Sequence, residues 1–470
     1  MVARGSVMLL PLLGGLILFG VQLCTATNIL FILADDLGYG DVQTYPNPSS
    51  PHGRMATPRL QKLTEESMMF TDAYTGAPVC APSRCALMTG KHLGHCTVRS
   101  NGPELNSSDV TVAHVLKNAG YHTALIGKWG LGSNGTVASP NNKGFDFFYG
   151  YTSQENAHDY YPPFLWRDME HEVIAKNMNA SRKTCGNPFT TNCVWAEDLF
   201  INETLALLRE HKNAERDFYI FLAFTTPHAG DVGSNKETGV PAPDEGIYAD
   251  KSWPDVEKHF ASCVHKQDAH VGQVLDALDE LGLAKDTVVF YASDNGAHNE
   301  GTHSYQFFES SGPLRGFKRS LHEGGIRSPL LVRWPDVVKP GTTSPQRWAF
   351  YDFMATAADI ANVSSSDLPA NDGYSFVPTL KGQAQPQPDF IYHEYCAPNE
   401  DKKGWGQSVV IEPHWKAVRY DYNATSLELY NLMEDLGETK DVASENPTVV
   451  QQITKIMSQQ HVDGNYCHGH

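Results

Sequence analysis

Apolar runs of the kind that form buried strands alternate with amphipathic stretches along most of the chain. This alternation is typical of an α/β fold with a large, mostly parallel sheet flanked by helices. The predicted strands cover residues 28–34, 121–127, 217–224, 286–292 and 326–334. The predicted helices cover residues 57–69, 110–118, 195–211 and 256–281.

The pattern changes beyond residue 380. Segments 390–395, 408–412 and 415–422 have the short alternation of antiparallel strands, and segment 447–460 predicts a closing helix. We therefore expect a large α/β domain over residues 27–380 and a small α+β subdomain with a short antiparallel sheet over residues 381–470.

The first 26 residues have the pattern of a secretory signal peptide. Arg4 supplies a positive charge, Val7 to Leu23 is almost entirely apolar, and the small residues Thr25 and Ala26 lie where a signal peptidase cuts. A retained signal anchor is the alternative, since the apolar run is long. The strand predicted at 28–34 must enter a core, which favours cleavage and no stable membrane anchor. We expect an extracellular or lysosomal protein.

Sequons and cysteines agree with a secretory route. Potential N-glycosylation sites lie at Asn106, Asn134, Asn179, Asn202, Asn362 and Asn423. Eight cysteines remain after residue 26. Cys185 and Cys193 flank a polar loop and are the predicted disulfide, and Cys85 with Cys96 is a second possibility.

The charge balance narrows the range of partners. The chain has 470 residues, with 36 Lys and Arg against 54 Asp and Glu, which gives a net charge of −18. An acidic chain without a basic block is a poor nucleic-acid binder. Its overall field repels anions, so any anion site has to be built locally.

Polar residues follow two of the predicted strands. Asp35 and Asp36 end one apolar run, and Asp294 and Asn295 follow another. Ligands of open α/β sheets bind at the carboxyl ends of the strands. Three carboxylates and an amide form an oxygen cage that suits Ca²⁺ or Mg²⁺ better than zinc. Either pair alone is better explained by turn formation, whereas the two pairs together favour a metal site.

Cys80 begins the segment Cys80-Ala81-Pro82-Ser83-Arg84, which is typical of the first turn of a helix. The dipole and the free N–H groups at a helix N-terminus favour an anion. Taken alone, Cys80 is a low-pKa cysteine or one half of a disulfide.

These motifs together resemble the sulfatase family, whose fold is the alkaline-phosphatase-like α/β fold. The resemblance runs from about residue 28 to the C-terminus. The matching motifs, in order, are Leu33-Ala34-Asp35-Asp36, Cys80-Ala81-Pro82-Ser83-Arg84 with Thr89-Gly90, Gly127-Lys128-Trp129, Thr226-Pro227-His228, Ser293-Asp294-Asn295-Gly296 and Gly316-Phe317-Lys318.

The resemblance implies a nucleophile. A formylglycine-generating enzyme oxidises the motif cysteine, so Cys80 becomes 3-oxoalanine (formylglycine), and its hydrated diol attacks sulfur. The second hydroxyl then expels sulfate, which a plain cysteine or serine could not do.

The resemblance also implies the roles of the surrounding residues. One Ca²⁺ is held by Asp35, Asp36, Asp294 and Asn295, with the modified Cys80 completing the set. Lys128 and Lys318 neutralise the sulfate, Arg84 orients the diol, and His228 protonates the leaving oxygen.

One position departs from the family pattern. Many members have His where this chain has Gly130, so either another group acts as the base that releases sulfate or turnover is impaired. His158, His298 and His303 are candidates for that role or for sugar recognition. Gly130, together with the segments around His158 and Arg167, resembles a branch of mainly bacterial sulfatases acting on sulfated galactose-type sugars. Arg167 is therefore a further candidate for substrate binding.

The expected function is hydrolysis of sulfate monoesters of galactose or N-acetylgalactosamine sugars, or of aryl alcohols. Tyr160, Tyr161 and Trp166 either stack on the sugar or belong to the core. Two alternatives remain: a phosphoester hydrolase of the alkaline-phosphatase-like group, and a glycan-binding protein of sulfatase fold without turnover.

Overall fold

The computed structural model describes Met1 and residues 27–47, 50, 52–178, 193–214, 216–230, 239–395, 405–420 and 427–463. The predicted signal peptide, apart from Met1, lies outside the described residues. None of the helices in the described ranges combines the length and the apolar character needed to cross a bilayer.

The strands, numbered in chain order, are β1 Asn28–Asp35, β2 Met68–Phe70, β3 Ala73–Tyr74, β4 His122–Lys128, β5 Phe147–Tyr151, β6 Phe164–Arg167, β7 Glu170–Val173, β8 Phe218–Pro227, β9 Thr287–Ser293, β10 Leu330–Arg333, β11 Thr342–Ser344, β12 Trp348–Ala349, β13 Phe390–Tyr395, β14 Gly406–Ile411, β15 Trp415–Tyr420 and β16 Glu428–Asn431. The α-helices are α1 Pro58–Glu65, α2 Cys80–Thr89, α3 Val112–Asn118, α4 Ala175–Met178, α5 Ala196–Ala214, α6 Asp255–Glu280, α7 Glu323–Ile326, α8 Phe353–Ile360, α9 Val377–Leu380 and α10 Pro447–Gln460.

A ten-stranded sheet forms the centre of the fold, in the order β11-β2-β10-β9-β1-β8-β4-β5-β6-β7. Its five middle strands, β9 to β5 in that order, are parallel. Strand β10 on one side and strands β6 and β7 on the other run antiparallel to their neighbours. The predicted fold class, a large mostly parallel sheet with flanking helices, is confirmed.

The apolar run of β1 explains why this strand lies in the middle of the sheet. Ile29, Phe31 and Leu33 pack into the hydrophobic core on one face, while Leu30 and Ile32 pack into the core on the other face. Both faces of a parallel sheet are covered by helices, so its strands are apolar at every position.

The structure differs from the sequence prediction at strand β10 and at its neighbour β2. The helix predicted to reach residue 69 ends at Glu65, because Met68–Phe70 forms strand β2 and pairs with β10. The strand predicted over 326–334 is shortened to Leu330–Arg333, since Glu323–Ile326 forms a helical turn. Pairing with an apolar neighbour outweighs helix propensity here.

The C-terminal strands form a separate antiparallel sheet in the order β13-β14-β15-β16. One face packs against Ile453 and Met457 of α10, whose bounds match the predicted closing helix. The other face packs Ile391 and Val410 against Tyr74 and Ile326 of the larger part. The predicted boundary at residue 380 stays a prediction.

The predicted sequons and disulfide are partly described. Asn106, Asn202 and Asn362 are exposed, whereas the amide nitrogen of Asn134 donates to the carbonyl of Met169. Asn179 and Asn423 lie outside the described residues. Cys193 is disulfide-bonded. Cys185 lies outside the described residues, so the pairing of Cys185 with Cys193 stays a prediction. Cys85 and Cys96 are buried free thiols.

A buried ion network joins the C-terminal sheet to helix α7. The Lys416 ammonium, on β15, lies 2.8 Å from a Glu323 carboxylate oxygen and 2.9 Å from one of Glu438. The Glu323 carboxylate also contacts Arg327. All three members of the Lys416–Glu323–Glu438 group are fully buried. Removing one partner from such a group leaves an uncompensated buried charge.

We predict that Lys416→Met lowers the free energy of unfolding by about 3 kcal/mol or more, because two buried carboxylates lose their shared cation. Urea denaturation at neutral pH measures this. The control is Lys440→Met, which breaks an exposed pair with Glu445 and should change stability by less than about 1 kcal/mol. Equal effects of the two substitutions would contradict the prediction.

We also predict that His393, on β13, makes a pH-dependent contribution to the free energy of unfolding. Its Nε2–H donates to the carbonyl of Thr75 at 2.8 Å, and burial lowers the pKa of His393 to about 4 from 6.5. The unfolded chain therefore binds the proton more readily, so this stability is present above pH 6.5 and is lost as pH falls toward 4.

Between pH 7.5 and pH 5, His393 should account for about 2 kcal/mol of lost stability. His393→Gln keeps a donor for Thr75 but removes the titration, so the difference in unfolding free energy between the two pH values should shrink by that amount. Exposed His52→Gln is the matched control. An unchanged pH dependence in His393→Gln would show that the residue is not held neutral.

Candidate active site

The polar residues at the ends of the central strands meet at one edge of the sheet. Asp35 ends β1, Lys128 ends β4, His228 follows β8, and Asp294 and Asn295 follow β9. Parallel strands place their carboxyl ends at the same edge, which is where ligands of open α/β sheets bind. The side chains of this set are buried.

Cys80 is the first residue of α2 and is 1% exposed. Its Sγ lies 3.4 Å from Oδ1 of Asp35 and 3.9 Å from Oδ1 of Asp36. Burial, followed by the charge of Asp35, raises the pKa of the Cys80 thiol well above its usual range. The unmodified residue is therefore a neutral thiol, and the helix N-terminus does not make it a thiolate.

The residue before Cys80 is covered by the C-terminal sheet. Val79 belongs to an apolar cluster with Leu321, Tyr395, Val418 and Tyr420. Tyr395 is on β13, and the last two residues are on β15. The start of α2 is therefore sealed by strands from the end of the chain.

Each of the three buried carboxylates has a cationic partner. The Lys128 ammonium lies 2.6 Å from Asp35, and the Lys318 ammonium lies 2.8 Å from Asp36. Arg84 donates through Nε and Nη2 to one oxygen of Asp294 at 3.0 and 2.9 Å. A third Arg84 donor, Nη1, reaches the carbonyl of Lys128 at 2.7 Å.

The cations of the cluster do not stabilise the charge of all three carboxylates equally. Burial disfavours the charge of Asp35, but Lys128 and the other nearby cations together outweigh burial and hold the pKa of Asp35 well below its usual range. The pKa of Asp36 is lowered in the same way, with Lys318 as its main cationic neighbour. In contrast, burial and the nearby charge of Asp35 raise the pKa of Asp294 to about 7. A cation placed among these oxygens would relieve that repulsion.

The donor set fits a hard divalent cation. Ligand atoms of Asp35, Asp36, Cys80 and His228 all lie within 4.8 Å of one another. Oδ1 of Asn295 is buried without a hydrogen-bond partner, while its amide nitrogen donates to Asp36 at 2.7 Å. Carboxylate and amide oxygens are preferred by Ca²⁺ and Mg²⁺.

His228 is a neutral imidazole in this arrangement. Its Nδ1 lies 2.7 Å from the carbonyl of Ala229, which only accepts, so Nδ1 carries the proton. Nε2 therefore accepts from the Lys318 ammonium at 3.0 Å. Burial, followed by Lys318, lowers the pKa of His228 well below its ordinary value.

The structure brings two of the other candidate histidines close to His228. The ring of His158 stacks on that of His228, with centroids 4.1 Å apart. His298 donates from Nε2 to the carbonyl of Pro227 at 2.9 Å, and burial lowers the pKa of His298 to about 4. His303 instead pairs with Glu257 at 2.6 Å.

The remaining substrate-binding candidates have other contacts. Arg167, on β6 near the sheet edge, forms ion pairs with Glu172 and Glu203. Tyr160 is 1% exposed, and its hydroxyl lies 2.5 Å from the carbonyl of His228. It is a core residue that supports the backbone at His228. Tyr161 is also buried in the core, whereas Trp166 is only partly buried.

Gly130 has a structural reason to be glycine. Its φ is +72°, a region that favours glycine. A Cβ here would lie 2.4 Å from Nε2 of Gln154, whose amide donates to the Gly130 carbonyl at 3.2 Å. Gln154 therefore fills the space beside residue 130.

Sequence reasoning missed two charged residues at this site. Glu300 accepts from the Lys318 ammonium at 2.8 Å and pairs with Arg319 at 2.5 Å. Burial opposes the charge of Glu300, but Lys318, with Arg319, holds the pKa of Glu300 well below its usual range. Both residues lie in loops without periodic pattern, and their only sequence signal was their nearness to Asp294 and Lys318.

Comparisons with known proteins agree with this geometry. The sulfatase family model matches residues 27–363, and the model of the C-terminal region of N-sulphoglucosamine sulphohydrolase matches residues 316–463. Steryl-sulfatase of Rattus norvegicus is 30% identical over 88% of this chain and 82% of its own length. N-acetylgalactosamine-6-sulfatase of the same species is 28% identical over 83% of this chain and 72% of its own length.

The fold also matches a solved structure, Ps i-CgsB in complex with k-i-k-neocarrahexaose. The TM-score is 0.77 at 23% identity, and the match covers 94% of each chain. The family models favour sulfate ester hydrolysis over phosphoester hydrolysis and over glycan binding without turnover. The chain therefore belongs to the sulfatase family and is a sulfuric ester hydrolase.

Proposed function

We propose that this sulfatase removes sulfate from a sulfated carbohydrate of the galactose or N-acetylgalactosamine type, with formylglycine made from Cys80 and one Ca²⁺. The observation that carries the proposal is the position of Cys80. Its Sγ lies 3.4 Å from Asp35, inside a cluster that also holds Lys128, Lys318 and His228. Because the thiol is held neutral, it is a poor nucleophile without modification.

Specific residues of the chain are proposed to bind Ca²⁺ and to provide formylglycine. Asp35, Asp36, Asp294 and Asn295 are the proposed oxygen ligands, with modified Cys80 as the fifth group. When bound, Ca²⁺ draws electron density from coordinated oxygens and so favours the deprotonated nucleophile and the charged sulfate. Formylglycine supplies a hydrated aldehyde whose hydroxyl replaces the unreactive thiol.

Lys128 and Lys318 supply the positive charge that a sulfate monoester needs. Both ammonium groups are buried, at 0% and 2% exposure, so their field is weakly screened. Their positions are fixed by Asp35 and Asp36 before substrate arrives, and such preorganised charge stabilises the transition state efficiently. Arg84 is the positioning residue, since it holds Asp294 and the carbonyl of Lys128 at once.

His228 is the proposed acid for the leaving oxygen. It is neutral in the described state, with Nε2 facing Lys318. A bound sulfate monoester adds negative charge beside the ring, and this charge favours the imidazolium. Nε2 then carries the proton that the leaving alcohol requires.

The substrate class and the location are inferred from similarity and from features of the sequence. The similarity to N-acetylgalactosamine-6-sulfatase supports a sulfated sugar. The signal-peptide pattern and the exposed Asn106, Asn202 and Asn362 support an N-glycosylated protein outside the cytosol, extracellular or lysosomal. His158, whose half-buried ring stacks on that of His228, is the proposed sugar-facing group. His298 is fully buried and both of its ring nitrogens contact backbone groups, so it supports the backbone beside His228 instead.

The first test is the mass of the tryptic peptide 63–84, which ends at Arg84, from protein made in a eukaryotic secretory host. We expect the mass change that corresponds to replacement of the Cys80 thiol by an aldehyde. A known sulfatase expressed in the same cells is the control. An intact thiol in this protein, with the control modified, would remove the proposed nucleophile.

The second test is removal of Ca²⁺ by a chelator and its return. We expect the chelated enzyme to lose sulfatase activity and Ca²⁺ to restore it. At 100 times the dissociation constant, Ca²⁺ should add about 2.7 kcal/mol of stability. Asp36→Asn, whose φ of +67° suits asparagine, should abolish the stabilisation.

The matched control for Ca²⁺ is Asp372→Asn. Asp372 belongs to another carboxylate–histidine group, with His92 and His95. Loss of the Ca²⁺ response in that variant, or its persistence in Asp36→Asn, would assign the ion to a different site.

A further inference from the structure

Glu300 and Arg319 form an ion pair on the solvent side of the catalytic cluster. Oε1 of Glu300 lies 2.5 Å from Nη1 of Arg319, and the two side chains are 27% and 37% exposed. The other carboxylate oxygen, Oε2, accepts from the Lys318 ammonium at 2.8 Å. One carboxylate therefore connects a buried catalytic lysine with a guanidinium that reaches solvent.

The backbone holds Arg319 in a fixed place beside the nucleophile position. The N–H of Lys318 donates to the carbonyl of Ala297, and the N–H of Arg319 donates to the carbonyl of Pro78, both at 2.8 Å. Pro78 is two residues before Cys80. Arg319 has a φ of +75°, which costs an arginine about 1 kcal/mol. The neighbouring backbone bonds maintain this strained conformation, as is common at functional sites.

The pair lies where the alcohol part of a substrate would extend. A ligand atom of Glu300 lies within 4.8 Å of one of Asp36 and one of His298. Its Oε2 is also 3.9 Å from Nε2 of His228, the proposed acid for the leaving oxygen. The sulfate occupies the buried end, so the leaving alcohol has to lie on the solvent side of His228, beside this pair.

The charges at the site favour neutral hydroxyls as ligands of the pair. The charge of Arg319 is matched by Glu300, and the pair lies outside the group of carboxylates proposed to hold Ca²⁺. A second sulfate or a uronate would therefore meet no excess of positive charge.

The chemistry of the pair fits a sugar. A guanidinium offers several donors in a rigid fork, and a carboxylate only accepts, whereas each sugar hydroxyl both donates and accepts. Two neighbouring hydroxyls can therefore bind to the pair at once. An aryl or steroid alcohol offers no second hydroxyl at this distance from its ester oxygen.

We propose that Glu300 and Arg319 bind two adjacent, uncharged hydroxyl groups of the sugar that carries the sulfate, and so select carbohydrate over aryl or steryl sulfates. This inference rests on the proposed function, because it assumes a sulfate ester at the Cys80 cluster.

The test compares two substrates, galactose 6-sulfate and 4-nitrophenyl sulfate, in wild type, Arg319→Gln and Glu300→Gln. In Arg319→Gln, the ratio of kcat/KM for the sugar to kcat/KM for the aryl ester should fall about tenfold or more, mainly through KM of the sugar. Glu300→Gln should lower the same ratio, although its contact with Lys318 will also reduce turnover of both esters.

Arg216→Gln is the matched control, since Arg216 is 50% exposed and bonds the carbonyls of Gly120 and Tyr121 at the opposite edge of the sheet. It should leave the substrate ratio unchanged. Thermal melting of all variants checks that they are folded. If Arg319→Gln does not fold, the substrate ratio of a folded Glu300→Gln decides the test.

Calorimetry provides a readout that does not need turnover. In a Cys80→Ala background, Arg319→Gln should weaken binding of galactose 6-sulfate about tenfold and weaken 4-nitrophenyl sulfate less. Equal loss for both ligands would overturn the proposal and assign the pair a structural role. Loss confined to a sugar with a second sulfate would also overturn it. Turnover of both esters with an unchanged ratio in Arg319→Gln would overturn this inference alone, whereas absent turnover of both esters by fully modified wild type would mean that the proposed function fails.

Discussion

The site depends on keeping three carboxylates together in a buried volume. Asp35, Asp36 and Asp294 are fully buried, and like charges repel strongly where the dielectric constant is low. Lys128, Lys318 and Arg84 compensate this repulsion from three different parts of the chain. The large sheet is what makes the arrangement possible, because it brings the ends of β1, β4, β8 and β9 to one edge with fixed spacing.

Much of this arrangement is predictable from local sequence signals. The apolar runs before Asp35, His228 and Asp294 predict buried parallel strands, and parallel strands place the residues at their carboxyl ends along the same edge. The first turn of α2 at Cys80 is indicated by Pro82 and the helix-like segment after it. These features are short-range, so the sequence pattern contains them.

The rest depends on contacts between segments that are distant in sequence. Nothing around residues 68–70 predicts strand β2 until its partner β10 is known. The reason for Gly130 is Gln154, a residue from a different loop. Similarly, the sequence makes His303 a candidate for the base or for sugar recognition, but in the structure its side chain pairs with Glu257 on α6. Loop residues such as Glu300 have no periodicity, and only the folded structure shows their neighbours.

The cover over Cys80 restricts when the proposed oxidation of its thiol can take place. The thiol is 1% exposed, so the proposed formylglycine-generating enzyme would need access before the segment is enclosed. Part of that cover, Tyr395 and Val418, lies more than 300 residues further along the chain. At about 5–20 residues per second, those strands emerge roughly 15–60 s after Cys80. The late position of the C-terminal sheet would thus leave a time window for the proposed oxidation of Cys80 on the nascent chain.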